Sequence, residues 1–311
     1  MELFWHSKER LLVLQLLTSL NLTTIQRQKI RSTRSVIDET LRNHSNIHLV
    51  TNQPISFLTG SYRRNTIIRP INDIDLYVRI HYGLHAYDKP PIKVMRLMRT
   101  ALKGRFKKTK IRLDMPCIVL SFSEYTFEVV PVVTFSDDED LHRVPGSGAR
   151  DWVKCYPNVP TKWMTRCNYA NDGKFIPLIK ILKNWNRNNN VSFKSFHLEL
   201  LTEMVFREVS EIWSYPQGIY EWMSCVSKKK SPLPTLATAR KPAVPLPNLK
   251  STTPFPVPLP KPFTLGNFLD QAVNRNALGS HFNKPTFPPR KEQHSNFLTE
   301  LLRSYPKKPG R

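Results

Sequence analysis

Cysteine is scarce in this 311-residue chain: Cys117, Cys155, Cys167 and Cys225 are scattered, and no two form a C-x-x-C pair. That spacing indicates neither a zinc site nor a disulfide framework, so the four read as reduced thiols, buried or half-buried. Long apolar runs are missing too. The leucine-rich stretch after Arg10 stops at Thr18, too short to span a bilayer, and the charged residues ahead of it do not form a signal-peptide layout. The expectation is a cytoplasmic protein with no membrane partner. Acids are also few: 24 Asp and Glu stand against 47 Lys and Arg, a net charge of +23 with a pI near 10.1. So one-sided a balance favours a polyanionic partner such as nucleotides or nucleic acid, with a solvated basic surface as the plain alternative. The excess is spread along the chain, +9 in residues 231–311 and +14 in 1–230. No internal repeat is visible.

What is present centres on residues 57–79. Asp73 and Asp75 stand two apart in the apolar run 71–80, which reads as a strand; at period two both carboxylates leave one face. Paired carboxylates repel unless a cation sits between them, and a hard divalent ion such as magnesium suits an all-oxygen site that also takes substrate phosphates. Upstream, Gly60-Ser61 follows a short apolar segment. Glycine permits a tight turn whose N–H groups, with the serine hydroxyl, can hold a phosphate. A phosphate holder next to a metal holder points to phosphoryl or nucleotidyl transfer.

The rest of the chain supplies the surroundings. Its length suits two modest domains or one elaborated one. Ser7 as N-cap and a leucine face predict a helix over 7–19, and Thr23-Thr24 opens a longer one bearing Arg27, Lys29, Arg31, Arg34 and Arg42, most simply a solvated basic face. Residues 91–107 read as a basic helix ended by Gly104. Two β-rich runs follow, 111–122 and 125–135, turning at Ser123-Glu124. The second holds Glu128 at the head of an apolar stretch, where a lone carboxylate is costly to bury without a cation. Glu128 is therefore the candidate third metal ligand, against the alternative that it points outward and pairs with a base. Pro131 suggests an edge or a strand end, and residues 136–150, acidic and then Gly- and Pro-rich, read as a loop. Residues 174–187 form a helix with Phe175, Leu178, Ile179, Leu182 and Trp185 on one face and Lys180 and Lys183 beside it. Another helix starts near Ser195 and makes a second phosphate-friendly corner, though lysines at a helix edge are commonly only solvated. Ten prolines between Pro232 and Pro262 rule out ordinary helix or central strand there and predict an extended arm. Short helices can recover at 263–279 and 292–304.

These residues resemble the polymerase-β-type nucleotidyltransferase superfamily: Leu58-Thr59-Gly60-Ser61, a spacer of eleven, then Asp73-Ile74-Asp75. More closely, over about the first 225 residues, the chain resembles the bacterial cGAS/DncV-like nucleotidyltransferases, the CD-NTases. That likeness rests on Gly60–Thr66, Asp73–Leu76, Phe127–Pro131, Lys180–Asn186 and Ser195–Glu199. It implies an α+β fold, with a mixed sheet and flanking helices as catalytic lobe (1–150) and a helical nucleotide-binding lobe (151–230), beside the proline-rich arm (231–311). It also implies an enzyme that joins nucleoside triphosphates, ATP or GTP among them, into a cyclic or linear oligonucleotide messenger, in anti-phage signalling. Asp73, Asp75 and Glu128 would hold two magnesium or manganese ions, and Gly60 and Ser61 the triphosphate; Lys180, Lys183, Ser195 and Phe196 would contact nucleotide from the helical lobe. The alternatives are nucleotidyl transfer to an RNA end or a protein, and an inactive relative that binds polyanions or a regulatory protein. The family's third acid is typically aspartate, whereas Glu128 is one methylene longer, and the likeness fades beyond about residue 230.

Overall fold

A computed structural model describes residues 7–228 apart from 136–137, 190–192, 210–211 and 213. The proline-rich arm and the helices expected at 263–279 and 292–304 lie outside the described residues. In chain order the elements are α1 (Ser7–Leu20), α2 (Thr24–Arg42), β1 (Ser56–Leu58), α3 (Gly60–Arg63), β2 (Asp73–Arg79), α4 (Tyr82–His85), α5 (Pro91–Arg105) and β3 (Lys110–Asp114). They continue with β4 (Cys117–Ser121), β5 (Thr126–Phe135), β6 (Asp138–Pro145), β7 (Trp152–Cys155), α6 (Asn158–Ala170), α7 (Phe175–Asn188), α8 (Ser195–Glu208) and α9 (Tyr215–Lys228). They fall into two compact units, one of residues 21–176 and one that joins α1 to the chain from Pro177 onward.

The first unit is α+β. Its sheet runs β1-β2-β5-β4-β3, with β6 on the far part of β5 and β7 on β6. Among the described residues only β2 and β5 pair in parallel. Along β2, Ile74, Leu76 and Val78 are fully buried, while Asp73, Asp75 and Tyr77 between them are half-buried. The three aliphatic side chains enter one core with Ile30, Ile37 and Leu41 of α2 and Val94, Met95, Met98 and Leu102 of α5. Burying each contributes about 1.5–3 kcal/mol, and a slip of one residue would exchange them for carboxylates. The hydrophobic set therefore fixes the face from which the aspartates project.

Local chemistry explains how α2 is placed. Thr23 Oγ1 accepts from the Gln26 N–H, and Gln26 Oε1 accepts from the Thr23 N–H, a reciprocal cap on the first turn. Arg34 leaves the basic face expected of it and turns inward. Its Nε donates to Ser56 Oγ at 2.8 Å and its Nη2 to the Ser56 carbonyl, while Ser56 Oγ donates to Asp38 Oδ2 at 2.8 Å. Arg34 thus ties α2 to β1, the strand that delivers the Gly-Ser turn.

Four expectations are corrected. The run 111–122 is itself a hairpin, β3 and β4, turning at Met115-Pro116. Residues 138–145 of the expected loop are β6, paired on both sides. Gly104 lies inside α5, whose C-cap is Phe106. Pro131 sits within β5 rather than at its end. The Val132 carbonyl accepts from the Ile80 N–H, so the Pro131 nitrogen faces the other way, between the last β4 pair (Ile118–Val129) and the first β6 pair (Val133–Arg143). A residue without an N–H breaks no ladder in that gap.

In the second unit α7 is buried all round: Lys180, Lys183 and Asn184 are as enclosed as Leu178, Ile181 and Trp185. Lys183 Nζ meets Glu199 Oε1 of α8 at 2.7 Å. Trp185 packs edge-on to Trp222 of α9 at 5.8 Å between centroids. Among the described residues no helix is long and apolar enough to cross a membrane.

Leu76 has no solvent exposure. Leu76→Ala is expected to lower stability by about 2–5 kcal/mol, measured as a shift of the urea midpoint at constant slope.

Candidate active site

The site is built on the sheet face opposite the α2/α5 core. Asp75 on β2 is the register partner of Glu128 on β5, and Asp73 of Thr126. Because the strands are parallel and in register, side chains at paired positions share a face. The acids thus come together across two strands as well as along one. Around them lies a small apolar cluster, Cys117, Val119, Val130 and Val132, with Phe57, Tyr77 and Val144 against it.

The Gly-Ser turn meets the acids directly. The Thr59 N–H donates to the Asp75 carbonyl at 3.0 Å, and Gly60 then starts the one-turn helix α3 with φ +60°. A Cβ on Gly60 would stand 1.6 Å from Asp75 Oδ2 and 2.6 Å from its Cγ. Glycine is required twice over, by a left-handed backbone and by a carboxylate resting where a side chain would be. The Ser61 carbonyl accepts from the N–H groups of Thr66 and Ile67 at 3.0 and 3.1 Å, closing the turn.

Electrostatics mark the same place. The Glu128 carboxyl is raised above its ordinary value, first by burial and then by the charges of Asp75, Asp73 and Asp114; a hydrogen bond from Cys117 opposes the shift. Cys117 is pushed up to about 12, by burial first and by Glu128 next, so it stays a neutral thiol. Burial and, after it, the neighbouring Cys155 and Asp75 raise Tyr77 well above its ordinary value. A carboxyl whose affinity for protons is raised by burial and by neighbouring carboxylates marks a place where a cation would relieve the repulsion.

The donor set is all oxygen, which fits a hard divalent ion. Among the described residues no group of three or more His, Cys, Asp or Glu side chains is arranged to hold a metal ion by itself.

The remaining expected residues lie in the second unit. Ser195 is exposed at the first position of α8, whose N-cap is Lys194, and Phe196 is half-buried. Lys180 is buried, and Lys183 is bonded to Glu199. The sequence reading missed the place of Cys117 and Asp114 beside Glu128. The Met115-Pro116 pair was the available signal, since a proline inside a β run marks a turn and would have split the run in two.

A glycine turn abutting alternating aspartates, with a third acid in register on the adjoining parallel strand of a mixed sheet, defines a polymerase-β-like nucleotidyltransferase fold. Solved structures share that fold. Vibrio cholerae DncV in its apo form superposes with a TM-score of 0.59 at 13% identity, covering 83% of this chain and 85% of that one. Escherichia coli CdnC with ATP superposes at 0.56 and 16% identity, covering 85% and 88%. Residues 12–168 match the Second Messenger Oligonucleotide or Dinucleotide Synthetase domain, and the chain belongs to that family. A cyclic AMP-AMP-AMP synthase of Acinetobacter is 28% identical over 222 residues, 67% of this chain; the match spans 60% of that relative's length. Nucleotidyltransferases of this family need a divalent metal.

Gly60→Ala is expected to push the Asp75 carboxylate aside and cut metal-dependent turnover on the order of 100-fold, at a stability cost of about 1–2 kcal/mol. Gly104→Ala, inside α5 where a Cβ meets nothing within 4 Å, should leave turnover unchanged and raise stability by about 0.5–1 kcal/mol. Turnover and thermal melting of both variants provide the check.

Proposed function

We propose that the protein is a nucleotidyltransferase that joins nucleoside triphosphates into a cyclic or linear oligonucleotide messenger, releasing pyrophosphate, in the cytoplasm and in anti-phage signalling. The observation that carries this reading is the contact of Gly60 with Asp75, itself the register partner of Glu128. It sets a triphosphate-binding turn against the acids. The similar protein from Acinetobacter is named for a cyclic AMP trimer, and the CdnC structure was determined with ATP; both support nucleoside triphosphates as substrates.

Asp73, Asp75 and Glu128 would hold two magnesium or manganese ions, which when bound neutralise the triphosphate and favour ionisation of the attacking ribose hydroxyl. The N–H groups of the Gly60-Ser61 turn and the Ser61 hydroxyl bind the β- and γ-phosphates, which keeps the leaving pyrophosphate beside Asp75. Asp73 and Asp75, set by β2, orient the donor α-phosphate. Ser195 and Phe196 are assigned to nucleotide binding, as are Lys180 and Lys183, the latter sharing its ammonium with Glu199. The net charge of +23 supports a further polyanionic or acidic regulatory partner.

The purified chain with magnesium and all four nucleoside triphosphates should release pyrophosphate and give a small product, found by mass spectrometry. Asp73→Asn with Asp75→Asn is expected to reduce pyrophosphate release by well over about 100-fold; unaltered release overturns the proposal. Label found instead on an RNA end or a protein supports transfer to a macromolecule. Glu128→Gln should behave like the double variant, with Glu128→Asp keeping measurable activity.

A further inference from the structure

The sheet register lays out two rows of side chains on the acid-bearing face. One runs from Asp73 on β2 through Thr126 on β5 and Ser121 on β4 to Lys110 on β3. The other runs from Asp75 through Glu128 and Val119 to Arg112. With strands about 4.8 Å apart, Arg112 lies about 10 Å from Glu128 and about 14 Å from Asp75, backbone to backbone. Ile111 is buried in the α2/α5 core while Lys110 and Arg112 on either side of it are exposed, so both basic side chains leave on the acid face. Arg112 Nη2 meets Asp114 Oδ2 at 2.9 Å, with both groups about half exposed. Such a surface pair is worth about 0–1 kcal/mol and yields readily to a phosphate. Besides Lys110 and Arg112, the chain between Asp88 and Asp114 holds eight Lys and Arg and no acid, a locally positive stretch of sequence.

The direction of the reaction gives this edge a task. The Gly60-Ser61 turn lies at the β1 side of Asp75, where the Thr59 N–H meets the Asp75 carbonyl. The proposed function, on which this inference rests, puts the donor's leaving pyrophosphate there. In-line displacement needs the nucleophile on the opposite side of the α-phosphorus. The acceptor must then approach from β5, β4 and β3. Its hydroxyl oxygen bonds to the donor α-phosphorus, the α–β bridging P–O bond breaks, pyrophosphate leaves with that electron pair, and the hydroxyl proton passes to solvent. When the acceptor is itself a nucleoside triphosphate, its 5′-triphosphate trails away from the acids along the two rows, past the Thr126 and Ser121 hydroxyls.

We propose that Lys110 and Arg112 bind the 5′-triphosphate of the acceptor nucleotide, making the β3 edge the acceptor's anchor and a basis for choosing phosphorylated acceptors over bare nucleosides. Arg112 supplies a planar fork matched to phosphate oxygens and Lys110 a point charge.

The test uses the full chain with magnesium and an α-labelled 2′,3′-dideoxynucleoside triphosphate, which can donate but not accept. The acceptor is either a nucleoside triphosphate or the matching unphosphorylated nucleoside, taken through the four bases. The parent should favour the triphosphate acceptor by about 10-fold or more in kcat/KM, the effect of one good charge-assisted contact. In Lys110→Ala with Arg112→Ala that preference should fall to near unity, with the rate on the nucleoside and the KM for the donor unchanged. Lys110→Arg should keep it, and unchanged melting shows that the variants fold. A preference that survives in the folded double variant overturns the inference while leaving the proposed function standing. A parent that forms no product with any base overturns both.

Discussion

The structure depends on one alternation. Ile74, Leu76 and Val78 must enter the core under α2 and α5, and in a strand that requirement obliges Asp73 and Asp75 to leave on the other face. Two neighbouring half-buried carboxylates repel each other, and the burial of three aliphatic side chains holds them there. The same argument applies to β5, where Phe127 and Val129 anchor the strand in that core and put Glu128 beside Asp75. Stability of the sheet and assembly of the acid site are therefore one property of the fold.

The Gly-Ser turn adds a second constraint. Thr59 is hydrogen-bonded to the backbone of Asp75, so the chain has to turn at once, and the turn passes so close to the carboxylate that only glycine fits. Arg34 fixes the other end of β1 through Ser56 and Asp38. A basic residue on an outer helix thus bears on where the Gly-Ser turn sits. The same sheet register carries the acid face out to Lys110 and Arg112, the edge proposed to anchor the acceptor.

Much of this was legible early. The β2 strand, the caps of α2 and the nucleotidyltransferase signature were read from spacing and residue type, because each is a local pattern a few residues long. The hairpin of β3 and β4 was not, since two short strands joined at Met115-Pro116 look like one longer apolar run. Residues 138–145 were read as a loop because charge dominates their composition, yet pairing with β5 and β7 outweighs that preference. The lysines of α7 looked like edge residues because periodicity alone cannot show that a helix is enclosed on all sides; Glu199, on the next helix, supplies the charge that lets Lys183 stay inside.

By itself the sequence determined the paired carboxylates, the Gly-Ser turn and the strand that spaces the two aspartates. These follow from chain geometry over at most a dozen or so residues. Only the tertiary structure decided that Glu128 stands opposite Asp75, that burial and the charges of Asp75, Asp73 and Asp114 raise its affinity for protons while Cys117 opposes the rise, and that Lys110 and Arg112 end the rows that begin at Asp73 and Asp75. Those relations join positions tens of residues apart, and they are set by strand order and register, which arise from packing the whole core at once.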